Sequence, residues 1–150
     1  MSPVYVDSSA LVKLIVYEPE SDAIRLYLGS AGPLTSSILA TAEVARAVAR
    51  IAPDSTAEMA ALLDALVVVA FDARIAARAA TLSPAGLRTL DAIHLATALE
   101  LGDELTAFVS YDERLSAAAR DLGIPVVTPE VGPSPNGFIL PPRTDGVVSF

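Results

Sequence analysis

The chain has 150 residues, 53% of them hydrophobic, with 18 acidic and 10 basic side chains, a formal net charge of −8 and no cysteine. A chain of this length buries an adequate core without cross-links, and the missing cysteines exclude disulfide scaffolds, thiolate zinc sites and cysteine nucleophiles together. The single histidine, His94, excludes multi-histidine metal sites, and the acidic balance argues against a protein that grips nucleic acid by bulk electrostatics, while leaving open carboxylates that act on phosphates through a metal.

The first residues, Met1 to Asp7, carry no basic segment, and no apolar run reaches spanning length, so a cytoplasmic setting away from the membrane is expected. Val4 to Val6 is a short β-prone run ending at Asp7, and Ser8-Ser9 offers capping chemistry for a helix from Ala10 to Tyr17. Glu18-Pro19-Glu20-Ser21 breaks that helix, a second runs to about Leu28, and Leu34 to Ser37 can form a brief strand. Ala40, Val44, Val48 and Ile51 then recur at helical spacing up to Pro53, and Thr56 to Leu66 predicts another helix. Leu66 to Phe71 is apolar at every position, the pattern of a strand covered on both faces. Asp72 caps a helix to about Leu82, Ser83-Pro84-Ala85-Gly86 turns the chain, and Thr89 caps a helix from Leu90 to Leu101. Thr106 to Ser110 is a strand, Glu113 to Leu122 a helix closed by Gly123, and Pro125 to Thr128 an edge-type strand. Strands separated by helices, without hairpin turns, predict an α/β fold: a mostly parallel five-stranded sheet with helices on both faces. The division expected is one domain over 1–130 and a Pro/Gly-rich C-terminal extension over 131–150, which has no periodicity.

Ligands of an open parallel sheet sit beyond the carboxyl ends of its strands. Asp7 and Asp112 each follow an apolar strand and precede a helix, which puts them on one rim if the first and fourth strands are parallel neighbours. Asp91 lies in the first turn of a helix apolar nearly all round, where the dipole favours an acid but burial penalises it unless a cation pairs with it. Each of the three acids also has a simpler role open to it at a helix N-terminus. Glu43 sits away from the apolar face of its helix, where a solvated pair with Arg46 is the plainer reading. Oxygen ligands without thiol or imidazole select a hard cation such as Mg2+ or Mn2+, which does chemistry on phosphates. His94, three residues after Asp91, reads as a core histidine with a satisfied hydrogen bond.

Four segments, Val4-Tyr5-Val6-Asp7-Ser8-Ser9-Ala10-Leu11-Val12-Lys13, Thr41-Ala42-Glu43-Val44, Leu90-Asp91-Ala92-Ile93-His94-Leu95-Ala96 and Val109-Ser110-Tyr111-Asp112-Glu113-Arg114-Leu115, resemble those of the PIN-domain ribonucleases, and most of all the VapC toxins of toxin–antitoxin pairs. The resemblance covers about Met1 to Glu130 and implies a Rossmann-like PIN domain. It also implies a catalytic and metal-binding cluster of Asp7, Glu43, Asp91 and Asp112 around one or two Mg2+ or Mn2+ ions, with Ser8 or Ser110 orienting ligands or water. The reaction implied is endonucleolytic RNA cleavage by attack of water on the phosphodiester, leaving a 5′-phosphate and a 3′-hydroxyl. A homodimer and a cognate VapB-like antitoxin are implied as partners. Lys13, Arg46, Arg50 and Arg114 are candidate RNA contacts because they lie near the acids in sequence, although solvated surface charge explains each as well.

A phosphatase of the haloacid-dehalogenase type also opens on a strand ending in Asp. It wants a second Asp two positions on, where this chain has Ser9, and a downstream Lys, whereas Lys13 is the only lysine. A receiver domain fails on the same lysine. A PIN-like module that binds without catalysis is the remaining alternative.

Overall fold

The computed structural model describes residues 1–132; the expectation of a separate extension falls almost wholly on residues outside that range. In chain order the elements are β1 (Val4–Val6), α1 (Ser8–Ile15), α2 (Ser21–Gly29), β2 (Leu34–Ser37), α3 (Ile38–Ile51), α4 (Thr56–Ala65), β3 (Val67–Val69), α5 (Ala73–Ala80), α6 (Thr89–Glu100), β4 (Ala107–Val109), α7 (Glu113–Asp121) and β5 (Val126–Val127). The five strands form one sheet in the order β3-β2-β1-β4-β5, and every pairing is parallel. The chain winds outward from β1 to β3 and then restarts at β4 on the other side. The crevice of this doubly wound sheet therefore opens between the carboxyl ends of β1 and β4, whose registers pair Val4 with Ala107 and Val6 with Val109.

Strand alternation divides the core. Val4 and Val6 face one layer with Ala107 and Val109, packed on Leu11, Leu14, Ile24, Val44 and Val48 from α1, α2 and α3. Tyr5 and Phe108 point the other way, against Leu95 and Ala98 of α6 and Leu115 and Ala119 of α7. Helix α6 is buried at every position from Ala92 to Ala98, as its apolar circumference predicts for a helix between sheet and neighbours. A smaller cluster of Ile75, Ile93 and Ala96 joins it to α5.

Three local expectations are corrected. Leu66 to Phe71 is not a doubly covered strand: among the described residues only Val67–Val69 pairs, and Val67 is 52% exposed, because β3 stands at the edge of the sheet they form, beside β2 alone. Asp7, rather than Ser8 or Ser9, caps α1, since its extended backbone lets its side chain accept from the Ala10 N–H. Thr89 is the first residue of α6 and Arg88 holds the N-cap position without a side-chain cap bond. Ile51 closes α3 as its spacing predicts, and it is 50% exposed because the buried stripe of the helix ends at Val48.

Candidate active site

Asp7 leaves β1 into the crevice and is 2% exposed. Its Oδ1 accepts from Ser9 Oγ at 2.7 Å and the Ala10 N–H at 3.0 Å, and its Oδ2 accepts from Ser110 Oγ at 2.5 Å. Burial nevertheless dominates these bonds and pushes the carboxyl above the ordinary aspartate range. The two serines also tie α1 to the loop after β4: Ser9 Oγ accepts from the Tyr111 N–H at 3.0 Å, and Ser110 Oγ accepts from the Asp112 N–H at 3.1 Å. One hydroxyl thus bridges Asp7 and the backbone of Asp112. Asp112 in turn caps α7, its Oδ1 accepting from the N–H groups of Arg114 and Leu115.

Asp91 sits in the first turn of α6, and Arg88 Nε donates to its Oδ2 at 3.2 Å. The same guanidinium lies 4.0 Å from Asp112 Oδ2, so Arg88 spans the two acids from a side chain that is 62% exposed. Glu43, on α3, does not pair with Arg46. Its Oε1 accepts from Ser8 Oγ at 2.8 Å and lies 2.6 Å from His94 Nε2. Burial works to raise the Glu43 carboxyl, but the contact with His94 and the bond from Ser8 outweigh it and hold the group below the usual range.

The rim therefore collects the four acids by linked contacts. Ser8 follows Asp7 and reaches Glu43; Ser110 joins Asp7 to Asp112; Arg88 joins Asp112 to Asp91. No three acidic or histidine side chains among the described residues gather closely enough to form a ready-made metal cage. The donor chemistry still fits a hard cation. Mg2+ keeps several of its waters and needs only one or two direct carboxylates, and neither Glu43 Oε2 nor Asp91 Oδ1 takes a hydrogen bond among the described residues.

The basic candidates divide. Lys13 is enclosed, donating to Glu18 at 2.5 Å and Glu20 at 2.9 Å, with its ammonium 4.7 Å from the centre of the Tyr111 ring. Burial works to lower that ammonium, but the two glutamates outweigh it and hold it above the ordinary lysine range. Arg46 and Arg50 are exposed, make no ion pair among the described residues, and line a groove of about 410 Å³ that also includes Glu43 and Leu90. Arg114 is exposed at the start of α7.

Sequence reasoning does not single out Ser9, Tyr5 or Arg88. Ser9 is detectable as a hydroxyl two residues past a capping Asp, the spacing of a local side-chain turn. His94 is in the core as expected, 2% exposed, with Nδ1 2.6 Å from the Tyr5 hydroxyl, yet its other partner is Glu43. Tyr5 and Arg88 leave no local signal, since both act across the fold.

Residues 4–121 match the family model described as PIN domain. The chain is 46% identical to ribonuclease VapC46 of Mycobacterium tuberculosis over 129 residues, 86% of this chain and 99% of that protein. It is 40% identical to ribonuclease VapC47 of the same organism over 131 residues, 84% of this chain and 96% of the relative. Among solved structures, the sarcin-ricin loop cleaving toxin VapC20 of M. tuberculosis superposes with a TM-score of 0.67 at 18% identity, covering 84% of this chain and 99% of that one, which speaks to the fold. A toxin–antitoxin complex from Klebsiella pneumoniae gives 0.64 at 25% identity, covering 85% and 99%. On the strength of the family match and these relatives, the chain belongs to the PIN-domain family and, within it, to the VapC-type ribonuclease toxins.

Proposed function

We propose that this protein is a Mg2+- or Mn2+-dependent endoribonuclease toxin, held in check by a cognate VapB-like antitoxin and acting in the cytoplasm as a homodimer. The observation that carries the reading is the buried carboxylate of Asp7 at the carboxyl end of β1, joined through Ser110 and Ser8 to the two elements that bring Asp112 and Glu43. A buried acid that burial disfavours as an anion is a strong acceptor for a compensating cation.

Asp7 and Asp91 would hold the cation, with Glu43 and Asp112 completing the acidic set directly or through water. When bound, the cation supplies charge neutralisation at the phosphoryl oxygens and lowers the pKa of water. The side chains supply the positioning. Ser9, Ala10 and Ser110 fix both oxygens of Asp7, so little reorganisation is needed as charge builds on the phosphate. Hydrolysis forms a bond from the water oxygen to phosphorus, breaks the bond to O3′, and passes a proton to that leaving oxygen, giving a 5′-phosphate and a 3′-hydroxyl. Arg46 and Arg50, one helical turn apart beside Glu43, suit the backbone of a single-stranded segment.

The contacts of Arg88 with Asp91 and Asp112 favour one second reading, a PIN domain that binds RNA without cutting it, because a side-chain cation already serves those acids. Incubation of the purified protein with total RNA, with Mg2+, with Mn2+ and with EDTA, followed by end mapping, separates the two. Cation-dependent fragments with 5′-phosphate ends that vanish in Asp7→Asn and Asp91→Asn are expected. Cutting undiminished in EDTA, or by both variants, would overturn the assignment, and RNA retention without cutting would favour the second reading.

A further inference from the structure

A single chain of hydrogen bonds runs from the sheet interior to the rim, and the carboxylate at its outer end sets its direction. The Ser37 N–H, which can only donate, lies 3.2 Å from the Tyr5 hydroxyl oxygen. That hydroxyl lies 2.6 Å from His94 Nδ1, and His94 Nε2 lies 2.6 Å from Glu43 Oε1. The Glu43 carboxylate has no hydrogen to give, so His94 Nε2 donates to it, and Nδ1 of the neutral ring accepts from the Tyr5 hydroxyl, whose oxygen takes the Ser37 N–H. The ring hydrogen then sits on Nε2, aimed at Glu43.

The chain is rigid at its inner end. Tyr5 is 0% and His94 2% exposed, and the Tyr5 ring stacks on Phe108 with centroids 5.0 Å apart and planes 4° from parallel. It meets the His94 ring edge-on at 6.0 Å and 80°. The outer end is different: the Glu43 side chain is 31% exposed. A glutamate with access to water needs no buried histidine for its own solvation, and fixing it costs rotamer freedom. Both donors, His94 Nε2 and Ser8 Oγ, converge on Oε1, and Oε2 takes no protein hydrogen bond among the described residues.

We infer that His94, backed by Tyr5, is a positioning residue: it clamps Oε1 of Glu43 so that Oε2 is held ready for a hard cation or one of its waters. The inference rests on the reading of this rim as a cation site. Partners that orient a metal-binding carboxylate through its second oxygen typically change metal affinity by tenfold or more when removed.

Because His94 is the only histidine, protein made with 15N-labelled histidine yields one ring in the spectrum. That ring should show the tautomer with hydrogen on Nε2; hydrogen on Nδ1 alone would overturn the clamp whether or not metal binds. Mn2+ titration followed by electron paramagnetic resonance then compares the native chain with three variants. His94→Leu should bind Mn2+ about tenfold more weakly or worse. His94→Gln, whose amide N–H can stand in for Nε2–H, should stay within about threefold of native. Tyr5→Phe keeps the ring and its stacking, and should shift the His94 nitrogen signals and weaken binding severalfold. A folded His94→Leu that binds Mn2+ as tightly as the native chain overturns the proposal. If His94→Leu does not fold, unchanged affinity and unchanged ring signals in Tyr5→Phe overturn it. Absence of Mn2+ binding by the native chain would instead refute the nuclease reading, and the tautomer would still decide the clamp.

Discussion

Replacing Asp7 by asparagine should separate its structural duty from its charge. Asparagine keeps an acceptor oxygen for the Ala10 N–H and Ser9 Oγ, and it caps helices about as well as aspartate. What disappears is a buried anion that burial disfavours. A carboxyl whose pKa is higher in the folded than in the unfolded chain binds more protons when folded. Its contribution to stability therefore falls as pH rises from the ordinary aspartate range through the raised value, and the full cost is present above it. Each pKa unit of such a shift corresponds to about 1.4 kcal/mol, so without metal Asp7→Asn should be at least as stable as the native chain at pH 7, with a flatter pH dependence. Asp7→Ala is the contrast: it loses the cap, about 1 kcal/mol, and strips the Ser9 hydroxyl of its acceptor at about 1 kcal/mol more, whereas the Ser110 hydroxyl loses its carboxylate oxygen in both variants. Asparagine and alanine should thus differ by about 2 kcal/mol, on the order of 6 °C in melting temperature for a domain of this size. Circular dichroism melts in EDTA at pH 7 and at pH 4 measure this directly. An Asp7→Asn chain melting as low as Asp7→Ala at pH 7 would refute the reasoning, since the charge itself would then be stabilising.

Three further outcomes are expected. Arg46→Ala and Arg50→Ala should each raise KM for RNA and reduce the slope of log affinity against log salt by about 0.7 for each phosphate no longer neutralised; an unchanged slope counts against the groove as an RNA path. Arg88→Ala should tighten Mn2+ binding by no more than about fivefold, because ion pairs from so exposed a side chain are worth at most about 1 kcal/mol, and weaker binding would show that Arg88 supports the site. Gly123→Ala should destabilise the fold by about 1 kcal/mol, because Gly123 closes α7 at φ 77° with open space around its Cα, leaving only backbone strain to be measured.

Most of the fold was legible because its signals are local. The run Val4 to Val6 stopping at Asp7, the apolar circumference of α6 and the glycine after α7 mark their elements by period, burial and punctuation, and all three stand where the pattern places them. The edge position of β3 was not legible. An apolar run is equally consistent with a central and an edge strand, and only the order β3-β2-β1-β4-β5 leaves Val67 and Val68 with one neighbouring strand among the described residues. Ile51, the last residue of α3, shows a related limit: helical spacing fixes a direction around the helix but not where the facing layer ends.

The candidate site divides the same way. Composition and pattern alone established an α/β chain, without thiols and with one imidazole, whose acids fall at strand ends and helix starts, because residue type and spacing are properties of the chain itself. Which acid meets which partner was decided only by the tertiary structure. Asp7 and Ser110 are brought to 2.5 Å because β1 and β4 pair in parallel. Local pattern makes Glu43 a surface residue paired with Arg46, but the packing of α3 and α6 against the central strands delivers His94 Nε2 and Ser8 Oγ to its Oε1. A side chain's solvation depends on what crosses it from distant segments, and no local window of sequence contains those segments.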